Sequence, residues 1–427
     1  MKIICISTLD KFSRFYLDIN QELKSKTNSS LKIISIHFSG FLYTLLRLKY
    51  SCFISFSVWI KVNFKKKYYQ SIIKDGNTYQ GINYNEFIQF HLGLNKNISK
   101  TDLQYQSLAY IDFFNNFFES QKPDFLISIS DSRMCVEIAV ALARQKGVKV
   151  FYIEQGPFNT TFFDDQGVNA NLSIRKNSSV ENTIPSKSND ISKPVKYSRS
   201  PFYRGFDILF MKLFEKTKLY PPDLKYTDIN TYRKRTSRPK PLFDIKNLDY
   251  VLFALQIPLD VNMIYHSPIY NSHLEIIKDL SENLPTSLKL VVREHPLYIG
   301  KYDKEVYSYI EDHNIIIDNF SPLDDALENA TIVVVNNSTV GIEAIFKYKP
   351  VVVLGNAFYD NDKVCIKINN KEEVGELLQI ALTKTKNKLE IDRFKNSLYN
   401  SVMLEGGITD KNLVSSKTIA NHLISNS

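Results

Sequence analysis

The sequence predicts an α/β protein made of two Rossmann-like domains facing a central cleft. Three observations carry this. Short β-type runs alternate with helical patterns along most of the chain. The stretch from Pro123 to Gly156 reads strand, helix, strand, which is a βαβ unit. A second such series begins at Leu248, beyond a polar segment, Asn171 to Pro241, rich in Ser, Asn, Lys, Arg and Pro.

The elements follow in order. "KIICIS" (Lys2 to Ser7) is a strand, followed by a polar loop, Thr8 to Arg14, and then a helix. "LKIISIHF" (Leu31 to Phe38) is a second strand. Phe41 to Lys74 mixes aromatics with Arg47, Lys49, Lys61, Lys65, Lys66 and Lys67. That pattern fits a helical pair with a solvated lysine face, and also a basic, membrane-facing surface. "PDFLISIS" (Pro123 to Ser130) is a strand. Asp131 to Gly147 is a helix with an acidic N-cap and a glycine stop, and "VKVFYIEQG" (Val148 to Gly156) is the next strand. The polar segment holds one helical patch, Phe206 to Phe214, and reads as a surface excursion and connector.

Beyond it, strands are expected at Leu248–Gln256, Leu288–Pro296, Asn314–Phe320, Thr331–Asn337 and Pro350–Gly355. Helices are expected at His273–Asn283, Pro322–Ala330, Ser338–Lys349 and from Lys371 onward. Ser321 is the expected N-cap of the second of these, with Pro322 at its first position. The domains are therefore drawn as residues 1–243, including a basic connector 171–243, and 244–427. Two such halves make a GT-B-type plan.

Composition narrows the function classes. The chain is 44% hydrophobic and 23% charged, which suits a globular core and not a disordered or fibrous chain. A net charge of +9 suits an anionic partner, although a Lys- and Asn-rich composition alone would also produce it. The basic residues are dispersed rather than gathered with aromatics, so nucleic acid is not the expected partner. Cys5, Cys52, Cys135 and Cys365 are scattered, with no metal-binding spacing and no disulfide framework. The apolar run at the N-terminus is too short for a signal peptide. No uncharged run reaches the ~18–20 residues that span a bilayer. A cytoplasmic protein is expected.

Four segments carry chemistry. "VVVNNSTVGIEA" puts Asn336, Asn337, Ser338 and Thr339 where a strand ends and a helix begins. Ligands of open α/β sheets bind at the carboxyl ends of strands, and a helix start offers unpaired N–H groups to a phosphate. A plain N-cap is the alternative. "REHP" places His295 on the same sheet edge, with Pro296 fixing the turn. "YIEQGPFNTTFFDDQGVN" ends a strand with Glu154, a candidate nucleophile or general base, before Gln155 and Gly156. Asp164 and Asp165 form a second acidic pair in a loop. "FALQIPLDVNMIYHSP" brings Gln256, Asp260, His266 and Ser267 toward the same edge, where ordinary loop polarity would also account for them.

Together these segments resemble the capsule polysaccharide synthesis family of bacterial glycosyltransferases, which includes the β-Kdo transferases. They span roughly Phe151 to Asp360. The resemblance implies a GT-B fold, a CMP-activated acidic sugar donor, most simply Kdo, and a lipid or saccharide acceptor. It implies binding of the CMP moiety by His295, Pro296, Asn337, Ser338 and Thr339, with Gln256 at the site and Glu343 toward the ribose. Glu154 takes the acidic position before glycine, with Asp164 and Asp165 as alternative catalytic carboxylates. Gln155 departs from relatives that carry an acid there. The resemblance further implies no cofactor and no metal, the inner face of the inner membrane, and capsule assembly proteins as partners. A phosphotransferase acting on a CDP-linked polyol, and a degenerate member that binds nucleotide-sugar without turnover, are the competing expectations.

Overall fold

The computed structural model describes residues 1–94, 98–176, 194–217, 245–383 and 387–427. It separates into two compact units, each built on its own sheet. Unit 1 comprises Met1–Val168, Lys187–Thr227 and Val402–Ser427; unit 2 comprises Asn169–Ser186 and Asp228–Ser401.

Unit 1 begins with the parallel strands β1 (Lys2–Ser7), β2 (Ser30–Ser35) and β3 (Ser51–Phe53), followed by the small hairpin β4 (Thr78–Tyr79) and β5 (Ile82–Asn83). Parallel strands β6 (Phe125–Ile129) and β7 (Lys149–Gln155) then add on the far side of β1, and β8 (Thr160–Asp164) turns back antiparallel to β7. Residue alternation sends Ile3 and Cys5 to one face and Ile4 and Ile6 to the other. Both faces are covered, so β1 and β6 read as almost unbroken apolar runs.

Unit 2 has strands β9 (Tyr250–Ala254), β10 (Lys289–Arg293), β11 (Ile316–Ile317), β12 (Ile332–Val335), β13 (Val351–Val353) and β14 (Ile366–Lys367). They lie in the order β11-β10-β9-β12-β13-β14, all parallel. This is the Rossmann order 3-2-1-4-5-6. The helices His273–Glu282, Lys304–Asp312 and Val374–Thr383 bury apolar residues against Val251, Phe253, Val292 and Val334. The α/β expectation of two Rossmann-like domains is met.

Several details differ from the sequence reading. The drawn boundary of 243/244 misses the return of the chain: β15 (Met403–Glu405) pairs antiparallel with β8, and the helix Val414–Ser425 buries Ile419, Ala420 and Leu423 in unit 1. The strand β8 replaces an expected loop. The first helix starts at Asp10, not beyond Arg14. Arg133, not Asp131, stands at the N-cap of the helix Met134–Gln145, while Asp131 accepts the Val168 N–H. Pro322 occupies the N-cap position expected for Ser321, whose own N–H goes to Asp318. The expected patch Phe206–Phe214 lies in a helix, Pro201–Thr217; residues 177–193 and 218–244 of the expected connector lie outside the described residues.

Four buried histidines couple the fold to acid. Burial lowers His37 and His91 to about 3, helped by Arg133, and lowers His266 and His273 to about 4. His91 and His273 accept backbone N–H groups of Met134 and Gln256, which requires an unprotonated ring nitrogen. Between the ordinary histidine range and those values the unfolded chain binds more protons than the folded one. Stability therefore falls as pH drops below about 6.5 toward 4. The urea midpoint is expected to decline steadily from pH 7 to 5; a constant midpoint would contradict this.

Candidate functional site

The register of unit 2 aligns the candidate residues. Ala254 pairs with Arg293 on β10 and with Val335 on β12, and Val335 pairs with Val353 on β13. Two residues beyond that level stand His295, Gln256, Asn337 and Gly355. They form a row along the carboxyl edge. From β9 the chain adds strands first on the β10 side and then on the β12 side. The topological switch point, where ligands of such sheets bind, lies between Gln256 and Asn337.

The Tyr302 hydroxyl ties His295 to Gln256. It donates to the Gln256 carbonyl at 3.1 Å and accepts the His295 N–H at 3.2 Å. His295 Nδ1 accepts the Leu297 N–H at 3.2 Å, so the ring proton sits on Nε2. Burial lowers the His295 pKa, opposed by the nearby charge of Asp260. At neutral pH the ring is thus an uncharged donor. Pro296 is exposed beside it.

On the other flank the two asparagines fasten the loop after β9. Asn337 donates from Nδ2 to the carbonyls of Asn262 and His266, both at 2.8 Å, and Ser267 reaches Asn336 Oδ1 at 3.4 Å. Gly355 is required here by close approach: a Cβ would stand 2.6 Å from Asn336 Oδ1 and from the His266 carbonyl. Ser338 Oγ accepts the Val340 N–H at 3.3 Å, and its carbonyl accepts the Tyr359 hydroxyl. Exposed Thr339 takes the N-cap position without a side-chain capping bond. The capping alternative thus describes Ser338 in part and Thr339 not at all. Glu343 is half-buried and its pKa is raised by burial and by Asp324, against Lys347.

Buried polar atoms mark the row. Gln256 is 6% exposed and neither of its side-chain polar atoms has a hydrogen-bond partner. The same holds for His266 Nε2 and Asn337 Oδ1, in residues 6% and 8% exposed. An unpaired buried amide costs about 1–3 kcal/mol, and such groups cluster where a ligand completes the bonding. Beside His266, Arg175 grips Asp360 through two bonds, at 2.8 and 3.0 Å, and reaches Asn356 at 2.9 Å. Lys367 donates to the Gly355 carbonyl, and burial lowers its pKa to about 8. Sequence reasoning passed over Arg175 because it sits in the polar segment; its pairing with Asp360 is a tertiary fact.

In unit 1, Glu154 near the end of β7 is partly buried, and its Oε1 accepts the Gln155 N–H at 3.0 Å. Its charge acts on Lys11, whose pKa burial and Arg199 lower while Glu154 and Asp10 raise it. Arg199 bonds Asp10 at 2.6 Å and Asp207 at 2.7 Å. This basic and acidic cluster at the carboxyl edge was not foreseen.

Asp164 and Gln155 are bonded within the fold. Asp164 is the buried end of β8, level with Tyr152, and its Oδ1 accepts the N–H groups of Gln166 and Gly167 at 2.6 and 3.2 Å. Because β8 runs antiparallel, Asp164 and Asp165 lie away from the edge that holds Glu154. Gln155 donates from Nε2 to the carbonyls of Thr160 and Gly156 at 2.9 and 3.3 Å, and accepts from Thr409 at 3.4 Å. Gly156 leaves room for Thr160 of the same hairpin. A carboxylate at position 155 would face those carbonyls with no proton to give. Gln155→Glu is expected to destabilise unit 1 by about 1–3 kcal/mol in urea unfolding; unchanged stability would remove the clamp.

Residues 213–371 match the family model described as capsule polysaccharide biosynthesis protein. The chain is similar to the protein FixF of Sinorhizobium fredii, at 26% identity over 38% of this chain and 40% of that protein. It thus spans well under two thirds of FixF. It is also similar to the capsule polysaccharide export protein KpsS of Escherichia coli, at 26% identity over 56% of this chain and 68% of that one. Among solved structures, the β-Kdo 2,7 transferase KpsC of Thermosulfurimonas dismutans aligns over 63% of this chain and 78% of its own, at 17% identity and a TM-score of 0.36. The stretch matched by the family model contains His295, Gln256 and the Asn336–Thr339 turn.

Proposed function

We propose that the protein is a glycosyltransferase of capsular or surface polysaccharide synthesis. It transfers an acidic sugar, Kdo by the resemblance of its motifs, from a CMP-linked donor to a lipid or saccharide acceptor. One observation carries this reading: the unpaired Gln256 amide, buried between His295 and Asn337 at the switch point of unit 2. An amide with free donor and acceptor suits the hydrogen-bonding edge of a base or sugar. The His295 Nε2–H and the hydroxyls of Ser338 and Thr339 suit phosphate oxygens. Donors fixed in advance stabilise charge that develops on the leaving phosphate. The helix after Thr339 is seven residues long, Val340–Phe346, so these side chains carry more of the anion binding than the sequence reading gave them. Glu154 is the proposed catalytic carboxylate; Asp164 is set aside on the bonds described above, and Asp165 on its position just past the end of β8.

The test offers the purified chain CMP-Kdo, CMP-sialic acid and CDP-glycerol with lipid and oligosaccharide acceptors, and follows the released nucleotide. CMP release from CMP-Kdo is expected. Turnover of CDP-glycerol alone would establish the phosphotransferase reading. Binding of CMP without turnover of any donor would establish the degenerate one, which Gln155 favours.

A further inference from the structure

We infer that the β3 edge of unit 1 docks on an anionic lipid bilayer. The sequence isolates this region by charge. Between Glu22 and Asp75 there is no acidic residue, while Lys and Arg recur throughout. The fold then gathers it. The helix Phe38–Leu45 leads into a turn, 46–50, then β3, and the helix Ile54–Asp75 follows at once. The helix Pro201–Thr217 packs alongside: Phe38 stacks on Phe210 at 3.8 Å, Phe53 meets Phe210 at 6.1 Å, and Arg47 reaches the Tyr203 hydroxyl at 3.4 Å.

On these same elements, large apolar side chains face solvent. Leu48 is 94% exposed at the tip of the turn, in a left-handed conformation with φ of 52°. Leu46 is 58% exposed, Phe64 86% and Leu209 57%. Basic residues, Lys49, Lys61, Lys66 and Lys67, stand among them in the sequence. Apolar tips that enter the headgroup boundary, on elements whose lysines meet anionic headgroups, are the signature of an interfacial surface. Leu46, Leu48 and Leu209 offer no ring to stack on bases, and the lysines favour an anionic occupant over a neutral one. Attachment is interfacial, because no helix among the described residues is long and apolar enough to cross a membrane.

The sole tryptophan, Trp59, stacks against Phe56 within this surface and reports on it. The full chain is titrated with extruded vesicles of phosphatidylcholine, with and without phosphatidylglycerol, while Trp59 emission and co-sedimentation are recorded. A blue shift and sedimentation with the phosphatidylglycerol vesicles, weakened by salt, are expected. Leu48→Ser with Phe64→Ser, both exposed and so compatible with folding, should weaken binding roughly tenfold or more. Lys61→Ala and Lys67→Ala should each weaken it about fivefold. His295→Ala should leave it unchanged, which separates this surface from the nucleotide site. Equal binding to phosphatidylcholine alone, indifference to these four substitutions, or loss in His295→Ala would each overturn the inference.

Discussion

Glu154→Gln is expected to reduce sugar transfer by about 10²–10⁴-fold, the usual contribution of a positioned acid or base, and more if the carboxylate is a nucleophile. CMP affinity should stay near wild type, because the row proposed to bind nucleotide belongs to the other unit. The substitution keeps size and hydrogen-bonding capacity but removes the charge. It leaves an acceptor for the Gln155 N–H, so the hairpin should fold as before. Lys11 would lose one of the two charges that raise its pKa. A parallel Lys11→Met variant should therefore be compared, to show whether lost turnover comes from the carboxylate or from its cationic neighbour. Turnover at the wild-type rate in Glu154→Gln would remove Glu154 from the chemistry.

The second large effect separates binding from stability at one residue. Gln256→Leu replaces an unsatisfied buried amide with an apolar side chain of similar size. Its ligand-free stability should be unchanged or rise by about 1 kcal/mol, because the folded state no longer holds an unpaired polar group. Its CMP affinity should fall about 10–100-fold, the cost of leaving ligand groups without partners. His295→Ala should show the same loss of affinity, with only a small change in stability, since the ring makes one local bond to Leu297. A structural role for Gln256 predicts the opposite pattern: a lower melting temperature and normal affinity. Calorimetry with and without CMP measures both quantities on the same samples.

Much of this site was legible because strand ends and turns carry local signals. β-branched runs that stop at "REHP" and "NNST" fix where β10 and β12 finish, and the parallel pattern puts both endings on one edge. The row itself was not legible. That His295, Gln256 and Asn337 fall at one level depends on the register between β9, β10 and β12, which no local pattern encodes. Asp164 shows the reverse error. Its neighbours looked like a polar loop, yet residues 160–164 are a strand held between β7 and β15, the latter more than two hundred positions later.

By itself, the sequence determined the α/β class, the two-domain plan, the βαβ units and the candidate residues His295, Ser338 and Glu154. These follow from short-range chemistry: side-chain periodicity, turn residues and the ends of apolar runs. Only the tertiary structure decided that Gln155 is a clamp between the β7–β8 hairpin and the 407–409 loop, that Arg175 holds Asp360, and that the Gln256 amide is buried without a partner. Each of those facts is a hydrogen bond made or missing between segments far apart in the chain. Whether a buried polar group is satisfied depends on what the fold brings within about 3 Å of it, and a sequence does not state that distance.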